Sequence, residues 1–263
     1  MAVPLHPLLN SDEMYISYNI GEGYGECYVL AVLNSRLATY CFRTLVGESG
    51  RVFAEVKLVD LAKLPIRRIN FITPDDERTC YRDEARLLYQ RCLQEQGEPD
   101  CVMGFVDDHL LQEPEASDVV HDVLVLLAEE MLRLNREKRT LQREFLGSLV
   151  DLLRVRPDKE RRVGVEALVG KSRLLGYAGD YRKGEEALSP EDLWRLVCRN
   201  RARVEANLAQ VGLKERVLMS YGRSLEQVLS LKEELRRTDA LIDRVVYRLY
   251  GLTEGEIALV EGG

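Results

Sequence analysis

The chain has 263 residues, with 37 Lys and Arg against 44 Asp and Glu, a formal net charge of −7. Hydrophobic residues make up 46% and charged ones 31%, the composition of a soluble globular chain and not of a disordered one. No apolar run approaches the roughly 20 residues of a membrane span, and MAVPLHPLLNSDE has neither the basic nor the apolar stretch of a secretory leader. These features exclude membrane, secreted and fibrous readings and lead us to expect a cytoplasmic protein.

In chain order, Tyr15–Ile20 alternates as a strand would, and Gly21, Gly23 and Gly25 mark a turn or flexible loop. That cluster lacks G-x-G-x-x-G spacing, and no phosphate-loop lysine follows. Val29, Val32, Leu33, Leu37, Tyr40 and Cys41 recur at helical spacing, which predicts a short helix within 27–45. Residues 51–58, RVFAEVKL, alternate as a strand. In LPIRRI, Pro65 holds Leu64 extended, so this segment is a strand edge or an ordered loop. Arg67 and Arg68, adjacent in extended backbone, point to opposite faces.

From residue 74 the pattern turns helical. Pro74 with Asp75, Asp76 and Glu77 opens a helix that Gly97 stops. Ser117 and Asp118 open a longer one. Its ladder is Val120, Leu124, Leu127, Met131, Leu134, Lys138, Leu141 and Phe145, alternating steps of four and three. Tyr221, Leu225, Val228, Lys232, Leu235, Asp239, Ile242, Val246 and Leu249 form a second seam. Two such seams predict an antiparallel coiled-coil hairpin within one chain, or else a dimeric coiled coil. Between them, Ser189-Pro190-Glu191-Asp192 is a helix start. Arg195, Arg199 and Arg203 follow at steps of four and are expected on one face of that helix. After Gly251, Thr253 and Glu256 have capping-box spacing. The expected fold is α+β and predominantly α-helical. A small N-terminal mixed α/β segment (1–73) precedes a helical domain (74–263), with long helices near 117–154 and 213–250.

Charge is unevenly placed. Residues 98–130 hold ten acids and no Lys or Arg, while 133–162 hold ten bases against five acids. Such asymmetry marks either a polyanion-binding face or solvated helix surfaces. The six cysteines form no C-x-x-C pair and read as free thiols; the three histidines do not cluster with carboxylates, so no metal site is expected. Glu55-Val56-Lys57 supplies half of a nuclease motif, but the Pro-Asp dipeptides at 74, 99 and 157 all come after it. No nucleophile elbow or zinc-protease motif is present.

Several segments together resemble one family. The run from Asp239 to Glu261, DALIDRVVYRLYGLTEGEIALVE, resembles the tail of type II restriction–modification adenine-specific DNA methyltransferases, often fused to an endonuclease (type IIG). VLAVLNSRLATYCFR at 29–43, LPIRRI at 64–69, SDVVHDVLVLL at 117–127 and LVGKSRLLGYAGDYRKG at 168–184 are similar to segments of the same proteins. The resemblance covers nearly the whole chain and implies their C-terminal target-recognition part, the TaqI-like specificity region, with its helical spacer. The S-adenosylmethionine loop and the adenine-binding NPPY tetrapeptide are both absent. Without them there is no recognisable pocket for a flipped adenine.

The reading is therefore sequence-specific recognition of double-stranded DNA, not catalytic alone. S-adenosylmethionine is expected only on a separate methyltransferase domain or subunit, and none in this chain. The chain is read as a C-terminal piece: a separate specificity subunit, a split or truncated product, or a remnant. Arg36, Arg67 and Arg68 from the first segment and Arg195, Arg199 and Arg203 from the helical region are the candidate DNA contacts. The alternative is a helical scaffold or assembly protein that binds a separate methylase chain.

Overall fold

The structure is a computed structural model and describes residues 3–4, 15–16, 25–46, 63–94 and 100–262. It is predominantly helical. The helices are α1 (Glu26–Asn34), α2 (Arg36–Val46), α3 (Asp75–Gln94), α4 (Asp100–Leu110) and α5 (Ser117–Leu153), followed by α6 (Lys171–Leu175), α7 (Pro190–Arg199), α8 (Leu213–Leu249) and α9 (Glu254–Gly262). Two two-residue strands, Val3–Pro4 and Tyr15–Ile16, pair antiparallel with Val3 opposite Ile16. Two residues per strand is too little for a mixed α/β segment, which the described residues do not support. The expected strand at 51–58 and the Gly97 stop lie outside them.

The chain divides into two compact units, Met1–Leu132 with Arg237–Gly263, and Arg133–Arg236. In the first unit α1 is deeply buried. Residues 28–33 are all buried, as befits a helix apolar on every side. Around it lie Ala85 and Tyr89 of α3, Val102 and Val106 of α4, Val120, Leu124 and Leu127 of α5, and Ile242, Val246 and Leu249 of α8. The early part of one long helix thus shares a core with the late part of the other. The second unit repeats this with Phe145, Leu149 and Leu153 of α5 and Val217, Tyr221 and Val228 of α8. Phe145 and Tyr221 lie with ring centroids 5.5 Å apart.

The helix expected within 27–45 is two helices. Ser35 leaves helical geometry (ψ 158°). Its hydroxyl donates to the Val32 carbonyl at 2.6 Å and accepts from the Ala38 N–H at 3.2 Å, closing α1 and opening α2. LPIRRI is an ordered loop, as expected. Tyr28 Oη donates to the Arg67 carbonyl, and Tyr250 Oη joins the Pro65 carbonyl and the Arg67 N–H. The Ser189 hydroxyl caps α7 by accepting from Asp192 N–H at 3.1 Å. Thr253 and Glu256 form the capping box at the start of α9, which packs on α2. Cys92 and Cys101 face each other with Cα atoms 7.1 Å apart, a proximity the free-thiol expectation did not include. Cys27, Cys41, Cys80 and Cys198 form no disulfide.

Candidate nucleic-acid interface

The first unit carries three of the expected arginines. Arg36 is the first residue of α2, and the Asp243 carboxylate holds it from two sides. Oδ1 accepts the Arg36 backbone N–H at 2.7 Å, and Oδ2 lies 3.4 Å from the guanidinium Nε. The acid therefore serves the positive end of the helix as well as the side chain, while the Arg36 side chain stays mostly exposed. Arg67 donates to both Glu115 oxygens, at 2.6 and 2.9 Å. Arg68 is exposed and makes no ion pair among the described residues. The extended LPIRRI backbone thus sends one arginine to an internal acid and leaves its neighbour open.

The second unit corrects the arginine face expected from residue spacing. α7 ends at Arg199, and Asn200 is its C-cap. The Asn200 side chain is almost wholly buried. Its amide accepts from Val169 N–H at 2.8 Å and donates to the carbonyls of Val169 and Leu196. That anchoring stops the helix, so Arg203 sits on a separate 3₁₀ turn, Arg201–Arg203. Its guanidinium donates to the Ala167 carbonyl. Arg195 pairs with Asp192 at 2.6 Å, and Arg199 is exposed. Arg195, Arg199 and Arg203 do not share one helical face.

The acids and histidine of SDVVHD are internal fasteners. Asp118 is fully buried and accepts from Ile72 N–H, Thr73 N–H and the Thr73 hydroxyl at 2.7–2.9 Å. His121 Nδ1 lies 2.9 Å from Asp122 Oδ1, and its Nε2 accepts from Gly25 N–H at 3.4 Å. Asp122 in turn takes Arg78 in a two-pronged pair at 2.7 and 2.9 Å. Burial pushes the Asp122 carboxyl up, but the hydrogen bonds and charges of His121 and Arg78 outweigh it and hold the group below the usual carboxylate range. All three polar partners are occupied inside the protein. Among the described residues no group of three or more His, Cys, Asp or Glu is placed to hold a metal ion. Glu55 and Lys57 lie outside the described residues.

Residue spacing alone also missed a join. Val155 and Val204 form an antiparallel bridge, with Arg156 N–H on the Arg203 carbonyl at 2.8 Å and Glu205 N–H on the Arg154 carbonyl at 3.1 Å. Two arginine-rich runs, 154–162 and 199–203, are thereby held side by side. The first run sits inside the basic block visible in the sequence, but its distant partner does not.

Charge follows the two units. Residues 133–236 hold 23 Lys and Arg against 16 Asp and Glu, a net +7, and the remaining residues hold 14 against 28, a net −14. The molecule is thus a helical protein of two units that gathers its cationic excess in one. Residues 5–66 match the TaqI-like C-terminal specificity domain, the family that the sequence segments resemble. No curated protein and no solved structure matches the chain. Among the described residues no helix is long and apolar enough to cross a membrane.

Proposed function

We propose that this chain is the sequence-specific DNA-recognition part of a type II restriction–modification system, the specificity region of an adenine-specific DNA methyltransferase or endonuclease. The observation that carries the reading is the specificity-domain match at residues 5–66. It falls on the segment where the sequence resemblance puts target recognition. On this reading residues 1–73 contribute to the target-recognition part and residues 74–263 to its helical spacer, whose long helices pack as a coiled coil. The chain is not catalytic alone and works in the cytoplasm beside a separate methyltransferase domain or subunit. That partner binds S-adenosylmethionine and transfers the methyl group to adenine. Arg36, Arg67 and Arg68 serve base or phosphate contacts near the recognition segment. The exposed Arg199 is the best placed of the three arginines of the second unit.

Two measurements test this reading. Duplex DNA binding by the purified chain, followed against salt, should fall linearly in log affinity as log salt rises. Arg68→Ala should weaken binding without changing the urea midpoint, because Arg68 is exposed and forms no ion pair among the described residues. Co-expression with a methylase that carries an NPPY motif should yield labelled methyl transfer to DNA, and the chain alone should yield none. A chain that ignores duplex DNA at low salt, alone and with the methylase, would overturn the proposal.

A further inference from the structure

We infer that the loop 154–162 and the turn Arg201–Arg203 form a phosphate-contact platform that grips the backbone of duplex DNA independently of base sequence. This rests on the DNA reading above and adds to it a surface remote in sequence from the recognition segment. Two independent features of this surface support the inference.

The first is a set of cations left without acids. Arg154, Lys159, Arg161, Arg199 and Arg201 are all exposed, and none forms an ion pair among the described residues. Of the acids nearby, Asp158, Glu205 and Glu166 are engaged with other partners. Asp158 is almost buried and folds the loop, accepting from Glu160 N–H and Arg162 N–H at 2.9 Å and from the Arg162 guanidinium at 2.6 Å. Glu205 pairs with Arg156 at 3.1 Å, and Glu166 with Lys171. The Val155–Val204 bridge supplies a fixed floor. Cations held on fixed backbone with their neutralising acids turned to other partners suit a polyanion.

The second is backbone strain. Arg154 and Arg161 adopt φ of +50° and +61°, the left-handed region that glycine and asparagine enter far more easily. Hydrogen bonds hold both residues there: Arg154 N–H on the Asp151 carbonyl and Val155 N–H on the Val150 carbonyl close the end of α5, and Arg161 N–H on the Asp158 carbonyl closes the loop. Glycine would hold the same turns at less cost, so the long exposed cation at each position is not something the backbone requires.

The strain supplies its own test. Replacing Arg154 and Arg161 together by Gly relieves the backbone while removing the charges, so the double variant should keep or raise its urea midpoint. Binding of the full chain to a mixed-sequence duplex is then titrated between about 50 and 200 mM salt. The expected result is a salt slope shallower by about 2, near 0.9 for each lost phosphate contact, with affinity down at least roughly tenfold at the low-salt end. Arg154→Lys with Arg161→Lys should keep most of the slope. If the wild-type chain binds DNA and the glycine variant binds with unchanged slope, the platform is overturned while the DNA reading stands. If the wild-type chain does not bind duplex DNA, the DNA reading falls and the platform with it. If the glycine variant changes sedimentation of the chain but not DNA affinity, the cations serve contact with the acidic unit of another copy, and the inference is likewise overturned.

Discussion

Asp122 shows how one acid can stabilise this fold only over part of the pH scale. Its carboxylate receives Arg78 and His121 together, and its pKa in the folded chain lies below the usual carboxylate value. Protons therefore bind it more tightly in the unfolded chain. The resulting stability is fully present above about pH 4, the unfolded carboxylate value, and is lost as pH falls through the folded value. Asp122→Asn should therefore destabilise the protein at neutral pH and flatten the acid limb of its stability curve, read by urea unfolding from neutral pH down to about pH 3. A variant with the wild-type acid limb would show that another group dominates there. At this scale the sequence was partly legible. SDVVHD was visible as a helix start and as a family segment. That Asp118 reaches back to Ile72 and Thr73, and His121 to Gly25, was not. Such bonds join residues far apart in sequence and leave no periodic trace.

Elements were more legible than their interruptions. The ladders from Ser117 and toward Leu249 repeat over many turns, and the helices Ser117–Leu153 and Leu213–Leu249 follow them. The breaks at Ser35 and Asn200 were missed because each depends on a polar side chain finding a partner, not on periodicity. The charged interruptions in the seams are also explained only in three dimensions. Lys232 Nζ donates to the carbonyls of Ala178 at 2.8 Å and Glu185 at 3.0 Å, while burial pushes the Lys138 ammonium down. The loop that receives Lys232 is the GYAGDYRKG part of a family segment, and its geometry accounts for two of its three glycines. Gly179 has φ +69°, and a Cβ there would lie 2.3 Å from the Glu185 carbonyl oxygen. Gly184 has φ +65° but open space around it. Gly184→Ala should cost about 1 kcal/mol from backbone strain alone. Gly179→Ala should cost more, about 2 kcal/mol or above, because it also forces backbone apart and disturbs the Lys232 contacts. Equal urea midpoints for the two variants would show that the close approach has no energetic weight.

For the whole molecule, the division of charge matters more than its sum. A net −7 chain would be expected to avoid DNA, yet residues 133–236 carry +7 and the rest −14. The sequence showed part of this in its acidic and basic blocks, but the division became clear only when compactness grouped residues 237–263 with the N-terminal part. Phosphate contact and long-range repulsion then become separable. Contact releases counterions and sets the salt slope. Repulsion from the acidic unit acts through solvent and fades as the Debye length shrinks from about 10 Å at 0.1 M toward 3 Å at 1 M. Asp76, Asp108 and Glu113 are exposed acids of that unit and form no ion pairs among the described residues. Replacing them by Asn, Asn and Gln should raise duplex affinity several-fold at about 50 mM salt, with the gain disappearing as salt rises. The change in slope should stay smaller than that from the Arg154 and Arg161 glycine pair, since no phosphate contact is made or lost. A gain that persists at high salt would instead place these acids against the DNA itself.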